Sequence, residues 1–429
     1  MTAEPRRRWA RRAGLLLLFV PVVVAIVVVV RLLDEPDTGP PALQRAPLPA
    51  EGFADAIGVA THFNYTDTAY ARRDELIALL RETGIRHIRA HMPTPPAGPD
   101  ADALRAAKAA GLRITFATGN PDVEPARAVA DALTIGRGAI AAFEGPNELD
   151  LSGNPAWPAK LHDYMPKLEA ATRALAPGIP LIGPSFGRAR SPGIAGPLPG
   201  MVNLHPYPAG KPPEGVFGAA LEDVAGQRAK GVVFSETGYH NAMNDAEAQP
   251  PVTEAVAAVY VPRLLATAYG AGVKRTFLYE LVDERPEPGL SEPEEHFGLL
   301  RTDLTPKPAF EAVRTLLDAL RDSPGRGVPD ATPGWEVQGA GDTEVQRLTL
   351  VRRDGSHVLA LWRPVSIWDV ERLRPVAVQP KRVQVRFGRI ARDISVWRPS
   401  VSRTPVLRRG LAAELSLELG ADLVLVSLR

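Results

Sequence analysis

From residue 57 onward, short apolar runs alternate with longer stretches in which apolar positions recur every three to four residues. That alternation predicts repeated βα units built around a parallel sheet. Eight runs can be counted, at 57–60, 85–90, 113–117, 139–143, 180–183, 201–204, 232–235 and 275–279, with helical periodicity at 73–83, 101–110, 160–175, 219–230, 253–269 and 308–320. Eight units in roughly 265 residues match the ~250 residues of a (β/α)8 barrel. A doubly wound open sheet is the alternative, but no Gly-x-Gly-x-x-Gly follows the first run, so its commonest cofactor would lack a phosphate cradle. Past residue 322 the period changes. Ser323-Pro324-Gly325-Arg326-Gly327-Val328-Pro329 reads as a linker, and alternation at 344–351, 357–362, 376–387, 394–397, 411–419 and 422–428 predicts antiparallel strands of a small β-sandwich beginning near Trp335. Trp362, Trp368 and Trp397 are expected to pack in its core or against the barrel, with stacking on sugars as the alternative.

The first 33 residues have a different pattern. Arg6, Arg7, Arg8, Arg11 and Arg12 precede an uncharged apolar stretch at 13–30. At about 1.5 Å per residue that stretch approaches the ~30 Å hydrocarbon core, and it is longer than the ~7–15 apolar residues of a cleaved signal. With Asp34 and Glu35 following, 1–33 is predicted to be a transmembrane signal-anchor, its N-terminus cytoplasmic and the body extracytoplasmic at the cell membrane. Secretion after signal cleavage is the alternative. Pro36, Pro40, Pro41, Pro47 and Pro49 make 34–55 a stiff spacer. The expected organisation is therefore anchor 1–33, linker 34–55, barrel 56–322, linker 323–334 and sandwich 335–429.

Composition narrows the function without naming it. Fifty Lys+Arg against 49 Asp+Glu give a formal charge of +1, and five of those arginines precede the apolar stretch of the targeting segment, so the body is mildly acidic and a nucleic-acid partner is not expected. The absence of cysteine rules out disulfides and is compatible with export without arguing for it. No His-x-His follows the first run and no His-Glu-x-x-His occurs, so neither a metal nor another cofactor is predicted. Oligomeric state is not legible.

Barrels carry their chemistry on the loops that follow the strands. His62 follows the first run; Arg89 and His91 close the second; Glu144, Asn147 and Glu148 close the fourth; His205 and Tyr207 the sixth; Glu236 the seventh; Tyr279 and Glu280 the eighth. Glu148 and Glu236 stand out as a matched pair, because a retaining glycosidase needs two carboxyl groups about 5–5.5 Å apart, one to attack and one to protonate. Alone, either Asn-Glu or Ser-Glu-Thr-Gly is short enough to arise by chance; the joint placement is what carries weight. Arg89 could equally be a buried ion-pair partner, and His62 and His91 ordinary rim histidines. Glu144 is expected to be structural, with its side chain directed away from the site. Glu280 and Asp283 are either substrate hydrogen-bonders or loop charges.

Gly145-Pro146-Asn147-Glu148 together with Phe234-Ser235-Glu236-Thr237-Gly238 resembles the fourth- and seventh-strand signatures of the clan A glycoside hydrolases. The resemblance covers about 56–320 and extends to Arg89, His205-x-Tyr207, Phe297-Gly298-Leu299-Leu300 and Thr305-Pro306-Lys307-Pro308-Ala309. A trailing β-sandwich occurs in several of its families, including glycoside hydrolase family 39. The resemblance implies Glu148 as general acid/base, Glu236 as nucleophile and Asn147 as partner of the sugar 2-hydroxyl. It also places Arg89 and Tyr207 against Glu236, and His205 against substrate or the acid/base. His62 and His91 would touch substrate, as would Tyr279, which stands where many members have a tryptophan. The implied protein is a membrane-anchored, extracytoplasmic retaining glycoside hydrolase acting on an oligo- or polysaccharide by double displacement. The alternative is a catalytically inactive carbohydrate-binding barrel serving as a cell-surface recognition module.

Overall fold

The structure is a computed structural model and describes residues 39–118, 121–188, 191–245, 249–322, 334–341 and 344–428. The expected anchor at 1–33 and the linker at 323–333 lie outside the described residues. Among the described residues no helix is long and apolar enough to cross a membrane.

The eight apolar runs form eight parallel strands: β1 (Ile57–Thr61), β2 (His87–His91), β3 (Arg113–Ala117), β4 (Ile140–Glu144), β5 (Leu181–Ile182), β6 (Val202–Leu204), β7 (Val232–Thr237) and β8 (Arg275–Leu278). Each pairs with its neighbours in sequence order, β8 returns to β1 through Ile57↔Thr276, and a single parallel bridge between Ile182 and Met201 joins β5 to β6. The ring is the expected barrel. Its strands are apolar on both faces because helices cover the outside. These include α1 (Arg73–Thr83), α2 (Pro99–Ala109), α3 (Pro125–Gly136), α4 (Trp157–Leu175), α5 (Pro213–Asp223), α6 (Glu254–Gly270) and α7 (Pro308–Leu320). Local signals set their ends. Asp74 and Glu75 occupy the first turn of α1, where they complement the helix dipole, and Gly84 ends it in the left-handed conformation at φ 84°.

The second unit is all-β, with one large sheet and a two-stranded ribbon that pairs Trp368–Asp369 with Arg374–Pro375. β9 (Trp335–Gln338), β10 (Gln346–Val351), β11 (His357–Trp362), β12 (Lys381–Trp397), β13 (Leu407–Leu419) and β14 (Val424–Leu428) join in the order β10-β11-β14-β12-β9, with β13 on β12. The runs 376–387 and 394–397, read as separate strands, belong to the single 17-residue β12. Its first half pairs with β9 and its last residues with β14, across a register shift between Arg386 and Ala391. The expected β unit is therefore present after the barrel. A continuous sheet folds over a core that includes Leu359, Leu361, Val383, Val385, Ile394, Val396, Val424 and Val426.

The two units meet on α6, which is buried on most of its surface because one face covers the barrel and another the second sheet. Arg263, wholly buried, donates to Glu214 at 2.9 and 2.7 Å and to the carbonyls of Val365 and Ala421. Trp362 donates its indole N–H to Glu214 at 2.9 Å, and Trp368 donates to the Pro251 carbonyl. These two tryptophans therefore join the units. Removing one partner of a buried, hydrogen-bonded ion pair strands the other charge. Arg263→Ala is expected to cost about 3 kcal/mol, read as a lowered urea midpoint; an unchanged midpoint would show that Glu214 is satisfied without it.

The stretch read as a stiff spacer is docked at its C-terminal end. Leu48 and Pro49 pair in parallel with Leu350 and Val351 of β10, and the short helix Ala50–Asp55 stacks buried Phe53 on Tyr269, ring centroids 4.9 Å apart. Asp55 then meets His87 and Arg275 at the starts of β2 and β8, at 3.0 Å each. That closes the barrel at the end opposite the strand-terminal loops.

Candidate active site

The loop after β4 carries Asn147 and Glu148. Gly145 permits its path, since a Cβ there would stand 2.7 Å from the Met165 sulfur and 2.9 Å from the Pro184 nitrogen. Glu148 sits in the left-handed region at φ 46°, ψ 42°, a conformation that costs a non-glycine residue about 1–2 kcal/mol. The loop at Ser185 holds it there, accepting the Glu148 N–H at 3.2 Å. Asn147 Oδ1 accepts from Arg89 Nη2 at 2.7 Å and from Ser185 at 2.9 Å, which turns its amide NH2 away as the remaining donor.

Arg89 of β2 is the buried hub. Its Nε and Nη2 grip Glu144 at 2.8–3.1 Å while Nη1 reaches Glu236 at 2.5 Å. Tyr207 donates its hydroxyl to the other Glu236 oxygen at 2.9 Å. His205 bridges the two candidates: Nδ1 lies 2.7 Å from Glu148 Oε1 and 3.5 Å from Glu236 Oε2, and Nε2 lies 2.8 Å from Ser235 Oγ. A Glu148 oxygen, a Glu236 oxygen and a His205 nitrogen all fall within 4.8 Å of one another. That spacing would also suit a cation; the hydrogen bonds in place, Glu148 to His205 and Glu236 to Arg89 and Tyr207, are those of an acid–base array.

The electrostatics differentiate the carboxyl groups. Burial opposes ionisation of Glu236, yet the His205 ring, the Arg89 guanidinium and the Tyr207 hydroxyl outweigh it and hold the carboxyl well below the usual carboxylate range. Around the rim the balance reverses. Burial, with neighbouring carboxylates, pushes Glu294 up to about 7 and Glu284 up to about 8, and raises Glu280 well above its usual range. A carboxyl group raised on folding adds no penalty below its unfolded pKa of ~4.3 and an increasing one as pH climbs to the folded value. Glu294→Gln and Glu284→Gln are therefore expected to raise the thermal midpoint at about pH 8.5, with the gain shrinking toward zero near pH 5. An equal gain at both values would disprove the linkage.

Of the residues singled out from sequence, Arg89, Asn147, Glu148, His205, Tyr207 and Glu236 form one hydrogen-bonded cluster. His62 and Tyr279 flank it. The His62 ring stacks on Tyr65 and lies edge-on to Tyr70 and Tyr279, its Nε2 3.7 Å from Glu280, and burial lowers its pKa to about 4. Tyr279 donates to Glu294 at 2.9 Å and meets Tyr207 and Phe297 edge-on. His91, the last residue of β2, is exposed and joins none of these hydrogen bonds, although it shares a strand face with Arg89. Glu144 does not point away as expected: it faces the barrel interior under Arg89 and also accepts from Asn203 and Ser235. Glu280 is buried and accepts from Tyr70 at 2.6 Å; Asp283 pairs with Lys307 at 2.8 Å. Sequence reasoning missed Ser185, Asn203, Ser235 and Glu294. Only Ser235, adjoining Glu236, carried a signal.

Among solved structures, the fold resembles the glycoside hydrolase family 39 enzyme from Xanthomonas axonopodis pv. citri, with a TM-score of 0.58 at 18% identity over 91% of this chain and 98% of that one. It also resembles a monomeric beta-xylosidase from Caulobacter crescentus CB15, at 0.58 and 15% over 90% and 98%. A glucosidase from Croceicoccus marinus follows, at 0.52 and 11% over 82% and 91%. No protein-family model and no curated protein matches the chain. At such identities the likeness is one of fold, and it spans both the barrel and the β unit.

Proposed function

We propose that the protein is a retaining glycoside hydrolase of the clan A type, with Glu236 as nucleophile and Glu148 as general acid/base. The observation that carries this reading is the approach of the two carboxylates to within 4.8 Å, close to the ~5–5.5 Å spacing of double displacement and short of the ~6.5–9.5 Å that inversion needs. The asymmetry of their surroundings supports the division of roles. Glu236, gripped by Arg89 and Tyr207, is kept ionised for attack on the anomeric carbon, and Glu148, bonded to His205, can hold a proton for the leaving oxygen. Asn147, its amide oxygen already engaged, offers its NH2 to the sugar 2-hydroxyl. The fold likeness to family 39 enzymes makes β-xylosides the first substrates to try.

The tethered location belongs to the same proposal and rests on the sequence at 1–33; recovery of the full chain in a soluble fraction would remove it. The catalytic reading is tested by offering the protein a panel of aryl β-glycosides and oligosaccharides and following the anomer of the first-formed sugar by proton NMR. Retention is expected. Inversion would overturn the mechanism, and sugar binding without turnover would favour the recognition module.

A further inference from the structure

Ser235 and Glu236 are consecutive, so on a regular strand their side chains would face opposite ways. The β7–β8 register shifts between Phe234 and Thr237, and the two side chains both reach the cluster at the barrel axis. Ser235 lies between His205 and Glu144, and hydrogen-bond direction there is determined. Glu144 Oε1 already faces Arg89 Nε at 3.1 Å, Arg89 Nη2 at 2.8 Å and Asn203 Nδ2 at 3.1 Å. Surrounded by donors, it accepts and does not donate. Ser235 has one hydroxyl hydrogen, which goes to Glu144 at 3.0 Å, so at 2.8 Å it must receive a hydrogen from His205. His205 therefore carries a hydrogen on Nε2. Nδ1, 2.7 Å from Glu148, is then the ring nitrogen at which a proton can come and go.

Resting on the reading of Glu148 as acid/base, we infer that Ser235 and Glu144 are positioning residues that lock His205 in its Nε2–H form, so that the acid proton is shared between Glu148 and His205 Nδ1. In the first half-reaction that proton passes to the glycosidic oxygen as the C1–O bond breaks, its electrons staying on the leaving oxygen while a Glu236 oxygen bonds to C1. In the second, water bonds to C1, its proton returns to the Glu148–His205 pair, and the bond from C1 to Glu236 breaks with its electrons returning to the carboxylate. The pair therefore gains and loses one proton per turnover. Other titratable groups face it. Glu236 lies 3.5 Å from Nδ1, with Arg89 and Tyr207 bonded to it, His62 beside it from the loop after β1, and Glu294 bonded to Tyr279 beyond. All of these are unchanged in a Ser235 variant.

Two measurements on the full chain test the inference. The first is the ring-nitrogen NMR of 15N-histidine protein, with His205 assigned by its loss in His205→Gln; it needs no turnover and so stands or falls apart from the glycosidase reading. A hydrogen on Nε2, with Nδ1 bare or sharing one, is expected. A resting Nδ1–H form with bare Nε2 overturns the inference. The second is the leaving-group dependence of Ser235→Ala. Its kcat/KM on phenyl glycosides, which need acid help, is expected to fall about 10-fold or more with the basic limb of the pH profile displaced, while dinitrophenyl glycosides change less than about 3-fold and Ser235→Thr recovers the loss. Equal losses on both substrate classes would assign Ser235 a merely structural role.

Discussion

Glu236→Ala is expected to lower kcat/KM by at least ~10⁴-fold, since it deletes the group that forms the covalent intermediate and leaves only binding and the acid. The fold should survive, because Arg89 keeps its bonds to Glu144 and Asn147 when Glu236 is gone. The space vacated by the carboxylate fits a small anion beside the Arg89 guanidinium. Azide added to this variant, with a dinitrophenyl glycoside, is therefore expected to yield a glycosyl azide of anomeric form opposite to the substrate. In Glu148→Ala, where the glycosyl-enzyme still forms from activated substrates, azide should yield the same anomer as the substrate, and the loss on unactivated substrates should be ~10²–10⁴-fold. Product analysis by NMR separates the two roles. Wild-type rates in either variant, or the two azide products exchanged between them, would invalidate the assignment.

Arg89→Met is expected to have the second-largest effect. Glu144 is wholly buried and Glu236 nearly so, and Arg89 is the cation hydrogen-bonded to both. Without it a buried carboxylate is left uncompensated, at a cost of about 3–5 kcal/mol. Catalysis should fall by ~10³-fold, the scale of losing a preorganised charged donor at the reacting group. The direction with pH is also determined. Arg89 favours the ionised form of Glu236, so its removal raises that carboxyl toward neutrality, and the acidic limb of kcat/KM should move to higher pH. Arg89→Lys should recover part of the stability and less of the activity, because an ammonium cannot reach Glu144, Asn147 and Glu236 from one planar fork. An unmoved acidic limb in Arg89→Met would show that Tyr207 and His205 suffice to ionise Glu236.

The barrel was legible because each of its strands is a compact apolar run and most of its helices show a clear stripe. α3 is absent from the expected helices although its pattern was there to read: Pro125, Ala128, Val129, Ala132 and Ile135 recur at helical spacing and are all buried. The fused β12 was not legible, since Gly388 and Arg389-Ile390 break the alternation that a continuous strand should show. At the site, sequence motifs found the residues carried at strand ends. They named Glu144 but not its orientation, which depends on Arg89 reaching across two strands, and they did not find Glu294, which arrives 14 residues beyond Glu280. His91 lies two residues after Arg89, on the same strand face, and is exposed because the strand ends there.

The clasp formed by residues 43–55 has a mechanical consequence. Traction arriving from the N-terminal side would meet the Gln44 N–H bonded to the Gly270 carbonyl at 2.8 Å, then the Leu48–Pro49 ladder on β10, before it reached β1. The load would be diverted into α6 and the second sheet. The rim at the far end of the barrel, with its hydrogen bonds set to tenths of an ångström, would be insulated from any force borne by the chain that leads into it.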